Sequence, residues 1–213
     1  MNRHIESNQP LSPRRFAWLL AAAVFVVPGA AGADDSIIAA GVASEGHVML
    51  IGDKQNWDTV VGSDDISSAL GYLSLAHDND ETAVNLTWNG GGEAQFFVGR
   101  KEAGDYSAYL DQNAALVAVI RVDKKPTGKA TLRMGCGYPC GSNADITKLL
   151  NALPTDKWVR VSFDLKCFAD GGLDARNVDT PWLITTKGEL ALSIAELSVA
   201  PEIGPEATIR CRD

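Results

Sequence analysis

The segment WVRVSFDL (158–165) alternates apolar and polar residues with a period of two. Its apolar members share one face (Val159, Val161, Phe163), and its polar members share the other (Arg160, Ser162, Asp164). Successive side chains of a β-strand point to opposite faces, so this segment is predicted to be a strand that is buried on one side.

Seven further short apolar runs are separated by turn residues. They are HVMLIG (47–52), AVNLTW (83–88), AQFFVG (94–99), AALVAVIRV (114–122), KATLRMGC (129–136), PWLITT (181–186) and LALSIAELSV (190–199). The Gly-rich NGGGE (89–93) between two of them predicts a hairpin connection. Short strands at this spacing are typical of an all-β protein, and the predicted fold is a β-sandwich of the jelly-roll type.

One segment, NADITKLLNALP (143–154), has helical instead of strand periodicity. Its apolar residues share one helical face (Ile146, Leu149, Leu150, Leu153). Asn143 or Asp145 can cap the start, and Pro154 ends the helix. The sandwich is therefore predicted to carry one short helix.

The first 33 residues have the three parts of a secretory signal peptide. A polar stretch that ends in Arg14-Arg15 precedes the apolar run FAWLLAAAVFVVPGAAGA (16–33), whose last three residues are small. Cleavage after Ala33 would leave residues 34–213 as a single exported domain, periplasmic or extracellular. The alternative is a permanent membrane anchor, because the apolar run just reaches the length of a membrane span.

The chain is acidic, with 19 basic and 27 acidic residues and a formal net charge of −8. Removing Arg3, Arg14, Arg15 and Glu6 with the leader changes this charge to −10. Nucleic acids and anionic lipids require a basic surface, so we expect neither as a partner. Cleavage of the leader would also leave no stable membrane anchor. An acidic surface suits neutral ligands or cations.

All four cysteines follow the predicted leader (Cys136, Cys140, Cys167, Cys211). An even number in an oxidising compartment predicts two disulfides, for which three connectivities exist. Export argues against a redox role for CGYPC (136–140), and a zinc site would need further close ligands. We favour a local Cys136–Cys140 bridge, whose tight turn Gly137 and Pro139 would ease, and then Cys167–Cys211 by elimination.

Catalytic motifs are scarce. Residues 34–213 contain two histidines, His47 and His77, and no G-x-S-x-G nucleophile elbow. His47 opens an apolar strand and is better explained as a structural residue. A glycosidase needs two carboxylates at a defined separation, which a sequence does not give. We therefore predict no catalytic residue and no enzyme activity.

Acidic residues cluster in the loop HDNDE (77–81). Asp78, Asp80 and Glu81 carry the oxygen ligands that Ca²⁺ prefers, but the loop lacks the D-x-[DN]-x-[DN]-G signature. A calcium site and a solvated turn therefore both remain open. Calcium is the one cofactor that the sequence offers.

Exposed aromatic rings are candidates for sugar stacking, because sugars present apolar C–H faces. Trp57 lies in the turn-rich DKQNWDT, Trp182 follows a proline, and Tyr138 lies inside CGYPC. The predicted ligand-binding residues are therefore Trp57, Tyr138 and Trp182. Trp88 and Trp158 lie within or at the ends of alternating strands and are expected in the core.

Four blocks of sequence together carry a family resemblance. In chain order they are ETAVNLTWNGGGEAQFFVG, DYSAYLDQNAALVAVIRVDKKPTGKATLRMGCGYPCG, DITKLLNALPTDKWVRVSFDLKCFA and VDTPWLITTKGELALSIAELSV. They resemble the ExoP-type, galactose-binding-like C-terminal domain of bacterial exo-1,3/1,4-β-glucanases and β-glucosidases of glycoside hydrolase family 3. The resemblance is strongest over residues 80–200 and implies a jelly roll with an auxiliary or glycan-binding role. No motif here matches that family's catalytic carboxylates, so no catalytic residue transfers.

The sequence thus predicts an exported, non-catalytic β-sandwich module that binds a β-glucan or a related polysaccharide or oligosaccharide and works beside a partner glycosidase. Two alternatives remain. One is a structural or protein-interaction module of the cell envelope that binds no sugar. The other is a separately encoded fragment of a family 3 glycosidase.

Overall fold

The computed structural model describes residues 35–78, 82–201 and 208–209. The strands are β1 (Asp35–Ala39), β2 (Val42–Ala43), β3 (His47–Asp53), β4 (Asn56–Val60), β5 (Ile66–Ser67), β6 (Leu73–His77), β7 (Val84–Asn89), β8 (Ala94–Arg100), β9 (Ala115–Lys124), β10 (Ala130–Gly135), β11 (Gly141–Asp145), β12 (Trp158–Asp164), β13 (Thr180–Thr186), β14 (Glu189–Ala200) and β15 (Thr208–Ile209). The helices are α1 (Ser107–Leu110), α2 (Thr147–Ala152) and α3 (Leu165–Asp170). The predicted signal peptide, residues 1–33, lies outside the described residues. Within the described ranges, no helix is long and apolar enough to cross a membrane.

The strands form two sheets. The first sheet has the order β15-β12-β9-β14-β7-β6-β5, and β1 and β2 extend from β14 beside this path. The second sheet has the order β11-β10-β13-β8-β3-β4. These ladders are antiparallel except for that between β12 and β15. Several neighbours in each sheet are far apart in sequence, as in Greek-key sandwiches.

Alternate side chains of both sheets meet in one apolar core. Val161 and Phe163 of β12 enter it from the first sheet, and Trp182 and Ile184 of β13 enter it from the second. The rings of Phe163 and Trp182 meet edge to face with centroids 5.8 Å apart. Full burial of side chains of this size stabilises the fold by about 1.5–3 kcal/mol each. The predicted all-β sandwich is confirmed.

All eight predicted strands are present, but the connection predicted at NGGGE (89–93) is wrong. Strand β7 belongs to the first sheet and β8 to the second, so these residues pass from one sheet to the other instead of closing a hairpin. Gly90 has a φ of 78°, and the ring of Tyr72 lies where Gly91 and Gly92 would carry a Cβ. The glycines therefore serve a tight passage beneath an aromatic ring.

The predicted helix is present, but it is shorter than expected. Residues 143–145 belong to β11, and Asp145 Oδ1 accepts a hydrogen bond from Thr147 N at the start of α2 (3.0 Å). Its apolar face is confirmed by the burial of Ile146, Leu150 and Leu153. The prediction of a single helix missed α1 and α3, which are too short to show a helical period.

Candidate functional site

A groove of about 690 Å³ crosses the outer face of the second sheet. The strands that fill the core also line this groove, because their side chains alternate between the two faces. On β8, Phe96 faces the core and Phe97 faces the groove; on β13, Ile184 faces the core and Leu183 faces the groove. Phe97 and Leu183 are half-buried and form an apolar floor.

The register of the sheet aligns the lining residues in rows across the strands. One row contains Arg133, Leu183 and Phe97, and a second contains Thr185, Gln95 and Gly52. Neighbouring strands lie about 4.8 Å apart, so the four steps from β10 to β4 span about 19 Å. The groove is therefore long and open, and an extended ligand would lie across the strands.

Trp57 forms one end of the groove, where its side chain is 42% exposed. Gln95 Nε2 donates a hydrogen bond to the carbonyl oxygen of Trp57 (2.8 Å). Gly52 lies beneath this main chain, and a Cβ there would collide with the backbone of Trp57. The predicted turn around Trp57 is strand β4, which is held against β3 by these contacts.

Tyr138 forms the other end, at the tip of the loop between β10 and β11, and is 99% exposed. The predicted Cys136–Cys140 disulfide closes this loop, with Cα atoms 5.1 Å apart. The peptide bond between Tyr138 and Pro139 is cis. Arg133 Nη2 donates to the carbonyl oxygens of Pro139 (3.0 Å) and Cys140 (2.8 Å). The loop that presents Tyr138 is therefore fastened both covalently and by a charge-assisted pair of hydrogen bonds.

Polar side chains border the apolar floor. Glu93 lies at the rim, where its Oε2 is 3.2 Å from Lys187 Nζ. Thr180, Thr185 and the half-buried Asp179 lie along β13 and just before it. A ligand in the groove would thus meet rings at the ends, an apolar floor and hydrogen-bonding groups at the sides.

Two other tryptophans, Trp182 and Trp158, lie elsewhere than predicted, whereas Trp88 lies where it was expected. Trp182 is 1% exposed and lies in the core, so it does not line the groove. Its indole N–H has no hydrogen-bond partner within the described residues. The prediction for Trp158 is also wrong, because this residue was expected in the core but is 42% exposed on the first sheet. Its ring lies 4.9 Å from the guanidinium of Arg121, a cation–π contact. Trp88 is buried as expected.

The predicted calcium loop is described only in part, because Asp80 and Glu81 lie outside the described residues. Asp78 accepts hydrogen bonds from Thr82 N (2.6 Å), Thr82 Oγ1 (2.9 Å) and Ala83 N (3.2 Å). Partial desolvation would raise the pKa of Asp78, but these hydrogen bonds outweigh it and lower the pKa. Within the described ranges, no three acidic, histidine or cysteine residues form a group suited to a metal ion. Cys211 of the predicted second disulfide also lies outside these ranges.

Both described histidines and several of the described acidic groups make structural hydrogen bonds. The fully buried Asp53 accepts from Leu70 N (2.6 Å) and Gln55 N (3.0 Å). Burial would raise the pKa of Asp53, but these hydrogen bonds lower it overall. Every described carboxyl group with a shifted pKa is shifted downward (Asp53, Asp78, Asp105, Asp145, Asp174). A general acid needs the opposite shift.

The sequence indicates Trp57 and Tyr138 as groove residues but not the residues that lie between them. Phe97 and Leu183 are next to core residues in apolar runs, so their outward direction was hidden. Arg133 and Gln95 alternate with buried neighbours, and that alternation was the available signal. Asp179 precedes a strand and carries no sequence signal that distinguishes it.

A family model named Exop_C and described as galactose-binding domain-like matches residues 47–199. The match contains nearly all of the predicted 80–200 region and begins earlier, at the start of β3. A comparison with curated proteins finds no significant match.

The fold is similar to that of several solved structures. The extra C-terminal domain (X) of exo-1,3/1,4-β-glucanase (ExoP) from a Pseudoalteromonas species matches with a TM-score of 0.69 and 15% identity, over 84% of this chain and 99% of that domain. The exo-1,3/1,4-β-glucanase from the same organism matches with a TM-score of 0.69 and 14% identity, and the match covers 84% of this chain but 22% of the enzyme. A family 30 carbohydrate-binding module of a cellulosomal cellulase of Clostridium thermocellum matches with a TM-score of 0.57 and 14% identity, over 81% of this chain and 99% of the module. At these identities the matches establish a shared fold.

Proposed function

Because the chain belongs to the ExoP-type family of galactose-binding-like domains, we propose that it is a non-catalytic carbohydrate-binding module for a β-glucan or a related polysaccharide. The observation that carries this proposal is the groove with Trp57 and Tyr138 at its ends and Phe97 and Leu183 on its floor. An extended sugar chain presents apolar ring faces and hydroxyl edges, and a groove of this composition complements both.

The length of the groove supports a polysaccharide chain as the ligand in preference to a single sugar. About 19 Å separates the strands that carry its two ends, which is several times the strand spacing. A free monosaccharide would reach one ring only, whereas a chain that crosses the sheet would contact both.

The fold neighbours support the ligand class. The similar domain of ExoP is part of an exo-1,3/1,4-β-glucanase, and the similar family 30 module is part of a cellulase. We propose the same kind of auxiliary role for this chain, with a partner glycosidase that acts on the bound polysaccharide. An exported protein of this kind would work in the periplasm or outside the cell.

A test of the proposal is affinity gel electrophoresis of the purified protein with soluble β-1,3/1,4-glucan cast in the gel. The protein should be retarded. Trp57→Ala and Tyr138→Ala should each weaken binding about tenfold or more, because each removes a large apolar contact with a sugar ring. Trp158→Ala is the matched control, since Trp158 is as exposed as Trp57 but lies on the other sheet.

The outcomes separate the alternatives. Absence of retardation by any of a panel of β-glucans would contradict the proposal and favour a protein-interaction module. Equal retardation of all three variants and the unchanged protein would place binding outside the groove. Release of reducing sugar that disappears on substitution of one carboxylate would instead favour a glycosidase fragment.

A further inference from the structure

Asp179 lies against the base of the loop that presents Tyr138. Its Oδ1 is 3.3 Å from the position that a Cβ on Gly135 would take, and its Oδ2 is 3.9 Å from the corresponding position at Gly137. These two glycines flank Cys136, so the absence of their side chains leaves room for the carboxylate beside the aromatic end of the groove. Asp179 is half-buried and lines the groove.

The other charged side chains of the groove are already engaged. Arg133 donates to the carbonyl oxygens of Pro139 and Cys140 and to Asn143 Oδ1. Glu93 is paired with Lys187. Within the described residues, the carboxylate of Asp179 forms neither a hydrogen bond nor an ion pair. Among the charged side chains that line the groove, Asp179 is therefore the one without a hydrogen bond or an ion pair in the described part of the chain, and it places a negative charge beside the loop of Tyr138.

We propose that Asp179 is the polar anchor of the groove and makes it select neutral sugar chains over anionic ones, an inference that rests on the proposed carbohydrate-binding function. An ionised carboxylate is purely an acceptor, so it can take hydrogen bonds from two neighbouring hydroxyl groups of a sugar whose ring stacks on Tyr138. A uronic acid or a carboxymethylated sugar presents a second carboxylate, which has no proton to donate and is repelled.

The charge of the whole chain acts in the same direction. The formal net charge of −8 disfavours the approach of any polyanion at low ionic strength. This long-range effect is screened by salt, whereas a direct contact between Asp179 and hydroxyl groups is screened much less. Salt dependence therefore separates the two contributions.

The experiment compares two polymers with the same β-1,4-glucan backbone, neutral hydroxyethylcellulose and anionic carboxymethylcellulose, in affinity gels at low and moderate salt. The unchanged protein should bind the neutral polymer at least about tenfold more tightly at low salt, and moderate salt should narrow this ratio without abolishing it. Asp179→Asn keeps the shape but removes the charge. It should weaken binding to the neutral polymer about tenfold, because a hydrogen bond to a charged group is worth more than a neutral one, and should reduce the discrimination.

Glu189→Gln is the matched control, because it removes a carboxylate that is paired with Lys124 (2.9 Å) and lies on β14 of the first sheet, outside the groove. It should change binding to either polymer less than about twofold. Thermal unfolding of each variant verifies that the fold is retained.

The inference is overturned if the unchanged protein binds carboxymethylcellulose as tightly as hydroxyethylcellulose, or if Asp179→Asn behaves like Glu189→Gln. In either case, loss of binding in Trp57→Ala would leave the proposed function standing. If β-1,3/1,4-glucan and both cellulose derivatives all fail to retard the protein, the proposed function itself fails.

Discussion

His47 is held as a neutral ring between a carbonyl oxygen and a cation. Its Nδ1 lies 3.2 Å from the carbonyl oxygen of Glu45, and its Nε2 lies 3.2 Å from Arg100 Nη1. A ring that donates from Nδ1 leaves Nε2 free to accept from Arg100. Burial and then the charge of Arg100 lower the pKa of His47, against the smaller opposing effects of the Glu45 carbonyl and Asp35. Burial also raises the pKa of Tyr106, which contacts Arg100, to about 12, so that Tyr106 stays neutral.

The free energy of unfolding should therefore fall as the pH falls below about 6.5, the ordinary pKa of histidine. The unfolded chain takes up a proton there before the folded protein does, so acid favours unfolding. Urea unfolding at pH 7.5 and 5.5 measures the difference. His47→Gln should reduce this pH dependence, and His77→Gln, which changes the other described histidine, should keep it. An equal slope in both variants would contradict the assignment.

Trp57, Trp158 and Trp182 show how well the exposure of a single side chain can be predicted from the surrounding sequence. In WVRVSFDL, the alternation that buries Val161 also directs Trp158 to the polar face, so its exposure could have been predicted from parity. In PWLITT, apolar residues occupy both parities, and only the position of the second sheet decides that Trp182 is buried. Trp57 was found because its surroundings are polar on both sides.

The Cys136–Cys140 loop is the element that most directly links the sequence to the candidate site. A disulfide that closes a loop of five residues removes little entropy from the unfolded chain, and by the loop-closure relation this stabilises the fold by about 2 kcal/mol at 25 °C. Its principal effect is local, because it fixes the backbone on which Tyr138 stands, together with the hydrogen bonds from Arg133.

Replacing both cysteines by serine should leave a folded protein that binds β-glucan about as weakly as Tyr138→Ala. A looser loop would have to be ordered again on binding, and that cost falls on the contact made by Tyr138. Isothermal titration measures the affinity, and urea unfolding measures the stability. Adding Tyr138→Ala to the double serine variant should weaken β-glucan binding little further, because both changes remove the same contact, that of Tyr138 with the sugar. Full additivity would show that the disulfide acts elsewhere.

Strands were easier to predict than the connections between them. The eight apolar runs identified their strands by their shortness and by the turn residues that separate them, and WVRVSFDL did so by its period of two as well. Seven of the described strands were missed (β1, β2, β4, β5, β6, β11 and β15). Of these, β4 and β11 each form an edge of the second sheet and are polar. NGGGE was read as a hairpin because glycine marks a turn without indicating whether the next strand joins the same sheet. The helix α2 was found by its apolar face, and its start was misplaced because β11 precedes it directly.

At the scale of the whole molecule, the groove depends on pairings that no local pattern contains. Trp57 and Tyr138 come from distant parts of the chain, and β8 and β13 bring them to one face by pairing in the middle of the second sheet. The pattern of short strands alone indicated a jelly-roll sandwich, and the family resemblance supplied its galactose-binding-like type. The site residues on the floor required the register of the sheet, which a sequence specifies only through the complete fold.

Export remains a prediction, and the position of the first described strand sharpens it. Strand β1 begins at Asp35, which pairs with Val199 of β14, and Asp35 Oδ2 lies 3.7 Å from Arg100 Nη1. Cleavage after Ala33 would leave this strand whole, whereas cleavage a few residues later would remove part of the first sheet.

Intact mass measurement of the secreted protein should therefore give a chain that begins at Asp34. Ala33→Leu should block processing because the cleavage site requires a small residue there, and Ala30→Leu, one residue outside the small-residue motif, should not. A membrane-bound protein that retains residues 1–33 would instead favour the anchor.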